Sequence, residues 1–357
     1  MKLVANIQLK PSREQAAALR ETLERCNAAC DWISEQGFAS DTVKQFALHK
    51  LVYRSVREQF CLTAQAAVRC IAKVADAYKA GAQGQRRFRP HAAQPYDDRI
   101  FRFRDDDAVS LWTTRGRQTI PFVCGPRQRA LLAYRKGEVD LMLVRGKWYV
   151  ACVCDIPDPE AAPVKDVIGV DLGIVNLAFD SDGTAYSGDK IEEKRRTYAH
   201  RRRNLQRKKT KSARRKLKLI KGRQARFQRD TNHRISKAIV AEAQRSGRGV
   251  ALEDLQGIRD RVKARRRQRA RLHNWPFFQL RSFVEYKARL AGVPVALIDP
   301  RNTSRGCPAC GHADKRNRPD QATFSCVSCG HAGAADHVAA RNIRARALVK
   351  VPMAGVA

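Results

Sequence analysis

Four cysteines constrain this chain more than any other feature. They form two C-x-x-C turns, C-P-A-C at Cys307–Cys310 and C-V-S-C at Cys326–Cys329, with fifteen residues between the pairs. Turns at that spacing carry four thiolates to the corners of a tetrahedron, which is the geometry of structural zinc. Gly311 and Gly330 each follow a pair and suit a tight knuckle with backbone N–H groups aimed at sulfur. The stretch is too polar for these cysteines to be core filler. Two disulfides would need an oxidising compartment, which the rest of the sequence argues against. Met1-Lys2-Leu3-Val4 opens straight into alternating sequence, with no signal peptide expected. The other seven cysteines (Cys26, Cys30, Cys61, Cys70, Cys124, Cys152, Cys154) sit singly among apolar neighbours, as buried reduced thiols do. No apolar run approaches the ~18–20 residues of a membrane span. The expectation is a soluble cytoplasmic protein holding one structural Zn²⁺.

Charge is the second bound. The formal net charge is +35, and it is unevenly placed: residues 1–165 carry 27 Lys/Arg against 18 Asp/Glu, residues 166–357 carry 43 against 17. Such an excess repels itself in a compact chain, so a polyanionic partner is expected. Without an amphipathic anchor, nucleic acid is favoured over a membrane surface. Residues 194–229 hold 18 Lys/Arg among 36 and no acid, with Arg201, Arg202, Arg203 and Arg207, Lys208, Lys209 recurring at helical spacing, followed by Arg214 and Arg215. A second run, Arg259–Arg271, has eight Lys/Arg among thirteen and includes Arg265, Arg266 and Arg267. A solvated helix face rarely reaches this density, because adjacent turns would repel without phosphates.

Along the chain, residues 2–10 alternate as a strand, and Ser12 with Gln15 forms a capping box before a helix carrying Leu19, Leu23, Cys26, Cys30 and Ile33. Further helices are expected at 42–58 and from Thr63 to Tyr78. From Ile100 the period becomes two, through Ile100–Phe103, Val109–Trp112, Thr119–Val123 and two longer runs around Arg145-Gly146, as in a small antiparallel barrel. Tyr96, Phe101, Phe103 and Trp112 lie among Arg99, Arg102 and Arg104; they read as core aromatics, with base stacking as the alternative. Pro157 and Pro163 mark a linker. Beyond it the pattern β, long helix, β, helix, β indicates an α/β domain.

Three carboxylates stand out in that domain. In V-I-G-V-D-L-G, alternation puts Gly169, Asp171 and Gly173 on one face of a strand, leaving room beside the acid. In G-V-A-L-E-D-L, Glu253 ends a short apolar strand, where a lone acid is costly to bury without a cation, and Asp254 points to the other face. In A-A-D-H-V-A-A-R-N-I, Asp336 starts a helix among small residues, and could equally be an ordinary N-cap. Asp171, Glu253 and Asp336 lie 82 and 83 residues apart, on elements suited to an RNase H-like sheet. Clustered carboxylate oxygens of this kind bind two Mg²⁺ ions and support phosphodiester hydrolysis.

G-V-D-L-G, L-E-D-L, the C-x-x-C pairs and A-D-x-x-A-A-R-N-I, in this order, resemble the RuvC nuclease of the TnpB family, insertion-sequence-encoded RNA-guided endonucleases similar to type V CRISPR effectors. N-T-S-R-G-C-P-A-C-G (Asn302–Gly311) and W-P-F-F-Q-L-R-S-F-V-E-Y-K (Trp275–Lys287) add to the likeness, which is sharp from Val167 to Ile343. The resemblance implies an N-terminal small β-barrel with a helical insert, at 1–160 with the insert at about 11–82, corresponding to wedge and recognition domains. It implies a RuvC-like, RNase H-like nuclease domain at 161–345, a zinc ribbon inserted at 302–333, and a tail at 346–357. The fold class expected is therefore α/β plus β. Asp171, Glu253 and Asp336 would be the Mg²⁺-binding catalytic triad, and Cys307, Cys310, Cys326 and Cys329 the zinc ligands of a nucleic-acid-binding ribbon. The partners implied are a guide RNA and a double-stranded DNA target read through a short adjacent motif, with no membrane and a monomer or weak dimer in the ribonucleoprotein. His337-Val338 departs from the family pattern after the last acid. Two other readings stand beside this one: an unguided transposase or structure-specific DNA nuclease, and a nuclease-inactive RNA-guided repressor.

Overall fold

The computed structural model describes residues 1–81, 84–173, 175–255 and 277–350, and its contacts divide the chain into two compact units, Met1–Pro157 and Asp158–Ala357. In the first, β1 (Lys2–Leu9) leads into three helices, α1 (Arg13–Ala39), α2 (Gln45–Gln59) and α3 (Ala64–Lys79). There follow β2 (Gln94–Tyr96), β3 (Phe101–Phe103), β4 (Ala108–Thr113), β5 (Gly116–Val123), α4 (Pro126–Leu132), β6 (Arg135–Val144) and β7 (Lys147–Asp155). The α1 start is the reciprocal box: Ser12 Oγ accepts from the Gln15 N–H at 3.2 Å, and Gln15 Oε1 from the Ser12 N–H at 3.0 Å. Arg145 and Gly146 both adopt positive φ, 53° and 76°, and close the β6–β7 hairpin.

The strands form one sheet in the order β2-β6-β7-β1-β5-β4-β3. Alternation sends Ala5, Ile7 and Leu9 of the central β1 inward. Both sheet edges serve that same core, through Tyr96 of β2 and Phe101 of β3, and the Tyr96 hydroxyl donates to the Trp112 carbonyl on β4 at 3.0 Å. A sheet whose two edges share one core is curled into a nearly closed barrel, which also limits exposed strand edges. Phe103 lies edge-on to Phe101 and Phe122 at 5.1 and 5.6 Å, so these aromatics pack the barrel. Leu19 and Leu23 of α1 join the barrel core, while Cys26, Cys30 and Ile33 pack against α2 and α3. Five of the seven single cysteines are buried as expected. Cys61 is exposed, because it occupies a left-handed turn after α2 (φ 46°), and Cys124 is half-buried.

The second unit runs β8 (Val167–Asp171), β9 (Asn176–Asp180), β10 (Ala185–Ser187), α5 (Asp189–Arg207), α6 (Lys211–Arg245), β11 (Gly249–Glu253), α7 (Phe277–Leu290) and β12 (Val295–Ile298). A 3-10 turn (Lys315–Asn317), the hairpin β13 (Thr323–Ser325) and β14 (Ala332–Ala334), and α8 (Ala335–Lys350) complete it. The main sheet has the order β10-β9-β8-β11-β12, with β8, β11 and β12 parallel, β9 antiparallel to β8, and β10 antiparallel to β9. Ile168, Val170, Val250 and Leu252 face α6 and α7, whereas Val167 and Ala251 face Ile343 and Ala347 of α8. Helices cover both faces, as a parallel sheet requires.

Two sequence expectations are corrected here. The single long helix is two, because Lys209 turns left-handed (φ 49°) and Thr210 starts α6 by accepting from the Ala213 N–H at 3.2 Å. The tail expected at 346–357 is helical as far as Lys350, since Ala347 is buried against β8 and β11. Among the described residues, no helix is long and apolar enough to cross a membrane.

Candidate active site and metal centre

The three acids meet because one glycine lets a helix touch a strand. A Cβ on Gly169 would fall 2.2 Å from the Ala340 carbonyl oxygen and 2.6 Å from the Arg344 nitrogen, both backbone atoms of α8. Only a bare Cα leaves room for that approach. Asp171 ends β8 on the same face as Gly169. Glu253 ends β11 one step beyond the Val170–Leu252 pair, on the face of Ala251. Asp336 lies in the first turn of α8, which covers that face. Strand period, parallel register and helix docking thus bring the carboxylates together at the C-terminal ends of two parallel strands.

Their electrostatics show the crowding. Burial, then the charges of Glu253 and Asp336, push Asp171 up to about 8, against the pull of the Arg318 guanidinium. Glu253 is only 7% exposed, and burial raises it too, opposed by its hydrogen bond from Thr303. Asn176 at the start of β9 donates to Asp336 Oδ2 at 2.8 Å, and the Thr303 hydroxyl donates to Glu253 Oε1. Glu253 and Asp336 thus crowd negative charge onto the buried Asp171, a crowding that a hard divalent cation would relieve.

Two neighbours of these acids make contacts of their own. His337 Nε2 lies 3.2 Å from the Ser181 carbonyl, with its ring 5.7 Å from Phe179. Asp254 is turned toward α7, where the buried Arg281 pairs with it at 2.5 Å and with Glu285 at 2.8 Å.

The cysteines form a second centre. Their four sulfurs lie within 4.8 Å of one another, with Cys307–Cys329 and Cys310–Cys326 at 3.6 Å. A tetrahedron with metal–sulfur bonds of ~2.3 Å has edges of ~3.8 Å, whereas a disulfide needs ~2.05 Å. The group therefore fits a tetrahedral metal. Both knuckles have one design: the Cys307 and Cys326 N–H groups donate to the His312 and His331 carbonyls at 2.9 and 2.8 Å, and Gly311 and Gly330 turn the chain at φ 76° and 75°. N–H groups of Cys329 and Ser328 aimed at the Cys326 sulfur help bring its thiol down to about 6. Asn317 is fully buried and joins the knuckles, donating to the Arg305 and His312 carbonyls at 2.8 and 3.0 Å while accepting from the Val327 N–H at 3.0 Å.

Arg201, Arg202, Arg203 and Arg207 lie on α5, Lys208 and Lys209 in the turn, and Arg214 and Arg215 on α6. None of these eight has an ion-pair partner among the described residues. A cleft of about 450 Å³ between the two helices is lined by Leu205, Leu219 and Ile220 together with Arg201, Lys216 and Arg223. Arg265, Arg266 and Arg267 lie outside the described residues.

Comparison with known proteins bears on this arrangement. The family described as "Probable transposase" (OrfB_IS605) matches residues 151–259, and "Cas12f1-like, TNB domain" matches residues 277–343. The TnpB-like protein MJ0751 of Methanocaldococcus jannaschii is 28% identical over 266 residues, covering 68% of this chain and 92% of that one. The chain is thus similar to a TnpB-like protein over most of that protein's length. The Cas12f1 endodeoxyribonuclease of Sulfoacidibacillus thermotolerans is 36% identical over 217 residues, covering 56% of this chain and 50% of its own length. The putative RNA-guided DNA endonuclease InsQ of Escherichia coli is 27% identical over 221 residues, covering 56% and 54%. The chain spans about half the length of the Cas12f1 relatives it matches. In fold it is similar to the protein in a Cas12f1–sgRNA–target DNA complex, with TM-score 0.63 at 16% identity over 93% of this chain and 83% of that chain.

Sequence reading alone did not single out Asn176, Thr303, Asn317 or Arg318. Asn176 and Thr303 each hold an acid from a distant element. Asn317 looks like any polar loop residue until its three bonds are seen. Arg318 is half-buried, donates to the Gln321 carbonyl at 2.6 Å, and supplies the cationic charge opposing the rise at Asp171. Asn302–Gly311 had carried part of the family likeness, and Thr303 was in view there only as a letter of that motif.

Proposed function

We propose that the chain is an RNA-guided DNA endonuclease whose nuclease centre is Asp171, Glu253 and Asp336 on an RNase H-like, RuvC-type sheet. The observation that carries this reading is the convergence of three carboxylates on one face of the β10-β9-β8-β11-β12 sheet, where Glu253 and Asp336 crowd negative charge onto Asp171. That order, with β9 alone antiparallel to β8 and β11, supports the RNase H-like reading. The names of the relatives, Cas12f1 and RNA-guided DNA endonuclease, support the guided form.

Asp171, Glu253 and Asp336 would hold two Mg²⁺ ions, which when bound supply activation of water and charge stabilisation at the leaving oxygen. The chain's own contribution is placement. Asn176 fixes one oxygen of Asp336, Thr303 fixes one of Glu253, and the glycine at 169 sets the spacing between strand and helix. The raised proton affinity of Asp171 means that cation binding competes with protonation there. Those cations of α5 and α6 that lack an acidic partner among the described residues would bind phosphates of the guide and of its duplex with target, recognising the backbone by shape. The cysteine quartet would carry one Zn²⁺, with a closed structural role since all four positions are protein sulfur. The described residues 1–157, a barrel with three helices inserted after its first strand, would serve as the wedge and recognition domains.

The test is co-purification of the chain expressed with its native flanking DNA, sequencing of the bound RNA, and cleavage of duplex DNA matching that RNA. Guide-dependent cleavage by the wild type, lost in Asp171→Ala with DNA binding retained, is the expected result. Cleavage without any defined RNA would instead establish the unguided nuclease, and binding without cleavage by the wild type would establish the repressor.

A further inference from the structure

Glu253 is held by the foot of the cysteine ribbon. Thr303 is 2% exposed, and its hydroxyl bonds Glu253 Oε1 while lying 2.9 Å from the Pro300 carbonyl oxygen. It belongs to the segment from Asp299 to Gly306, which joins β12 to the first knuckle at Cys307 without regular secondary structure. Left alone, such a segment would place a hydroxyl poorly. One face of α8 grips it. Asn342 donates to the Thr303 and Gly306 carbonyls at 2.8 Å each, and Arg346, one turn on, donates to the Asp299 carbonyl at 3.1 Å and to that of Arg301. The gripping helix also carries Asp336. A local turn reinforces the hold: the Gly306 N–H donates to the Asn302 carbonyl at 2.8 Å, with Asn302 left-handed at φ 56°.

A glutamate has three side-chain torsions, and one apolar strand end does not choose among them. A fixed hydroxyl does. With Oε1 committed to Thr303, Oε2 is left for the face shared with Asp171 and Asp336.

We propose that Thr303 is a positioning residue for Glu253: it fixes the carboxylate for divalent cation binding, and Asn342 and Arg346 hold Thr303 where it can do so. The inference rests on the three acids forming a cation site, and goes beyond that reading by assigning its orientation to the ribbon's foot. Partners that orient metal ligands are worth about 10–100-fold in metal affinity.

The experiment is a Mn²⁺ titration of the full chain by calorimetry, with the cysteine quartet loaded with Zn²⁺, zinc content and melting temperature being recorded for every variant. Thr303→Val keeps the shape and removes the donor; Thr303→Ser keeps the donor. The expected result is Mn²⁺ binding about 10–100-fold weaker in Thr303→Val, with zinc content unchanged, and restored to within about threefold of wild type in Thr303→Ser. Thr303→Ala replaces the valine variant should that one not fold. Wild-type Mn²⁺ affinity in the valine or alanine variant would overturn the proposal. So would equal losses in the serine and valine variants, which would mean that the methyl group's packing matters and the bond does not. Asp171→Ala is the separate control: if it binds Mn²⁺ as wild type does, the acids are not the cation site, and the underlying reading fails on its own account.

Discussion

At Asp171 the chain carries an acid whose folded environment disfavours its charge. Its proton affinity in the folded state corresponds to about 8, against ~3.9 in an unfolded chain. Between those values the folded state keeps a proton that the unfolded state releases, so this group's contribution to stability falls as pH rises from about 4 to about 8. Asp171→Asn therefore abolishes cleavage yet raises the melting temperature of the divalent-metal-free chain at pH 8, with the gain shrinking toward pH 4. Thermal melts of both proteins across that range check it, and a pH-independent difference would contradict the assignment. Much at this scale was legible in the sequence. Alternation alone set Asp171 beside Gly169, and the cost of a lone acid ending an apolar strand marked Glu253. The partners were not legible. Asn176 bonds an acid 160 residues away and Thr303 one 50 residues away, and no local pattern encodes contacts that only the folded sheet creates.

Among the elements, the α5–α6 pair makes the clearest prediction. Arg201, Arg202, Arg203, Arg207, Arg214 and Arg215 lack acidic partners among the described residues, so those that touch phosphate should release counterions when nucleic acid binds. Neutralising Arg214 and Arg215 together to Gln should weaken binding irrespective of sequence. If both contact phosphates, the slope of log affinity against log salt becomes shallower by about 2. Fluorescence anisotropy across a salt series measures the slope, and an unchanged value would leave these residues as a solvated surface. Charge density announced this surface in the sequence, but the break between the helices went unread. Lys208-Lys209-Thr210 contains neither glycine nor proline, and the stop comes from a left-handed lysine followed by a capping threonine.

For the molecule as a whole, the cysteine ribbon is an element that cannot stand by its own core. Phe324 is the one large side chain in its buried cluster, which otherwise comprises Cys307, Cys326, Ala335 and Val338. A core so small would depend on a metal held by the four cysteines. Stripping the ribbon with a strong chelator should expose four reactive thiols and open residues 302–334 to proteolysis, while 1–157 stays protected. Limited proteolysis with mass spectrometry reads both outcomes, and a protease-resistant stripped ribbon would show that the fold does not need the metal. The quartet's spacing made this centre readable from four letters and a count. The barrel was readable less directly, because closure depends on Tyr96 and Phe101 meeting across strands that are not sequence neighbours. The glycine at 169 has a consequence for how related chains are sorted into active and decayed. Its absent Cβ is the space that the α8 backbone fills, so a Gly169→Ala descendant would hold Asp336 away from Asp171 with every carboxylate still written in its gene. A survey that scores only the acids would count such a chain as a working nuclease. Its silence would lie in a methyl group two residues upstream.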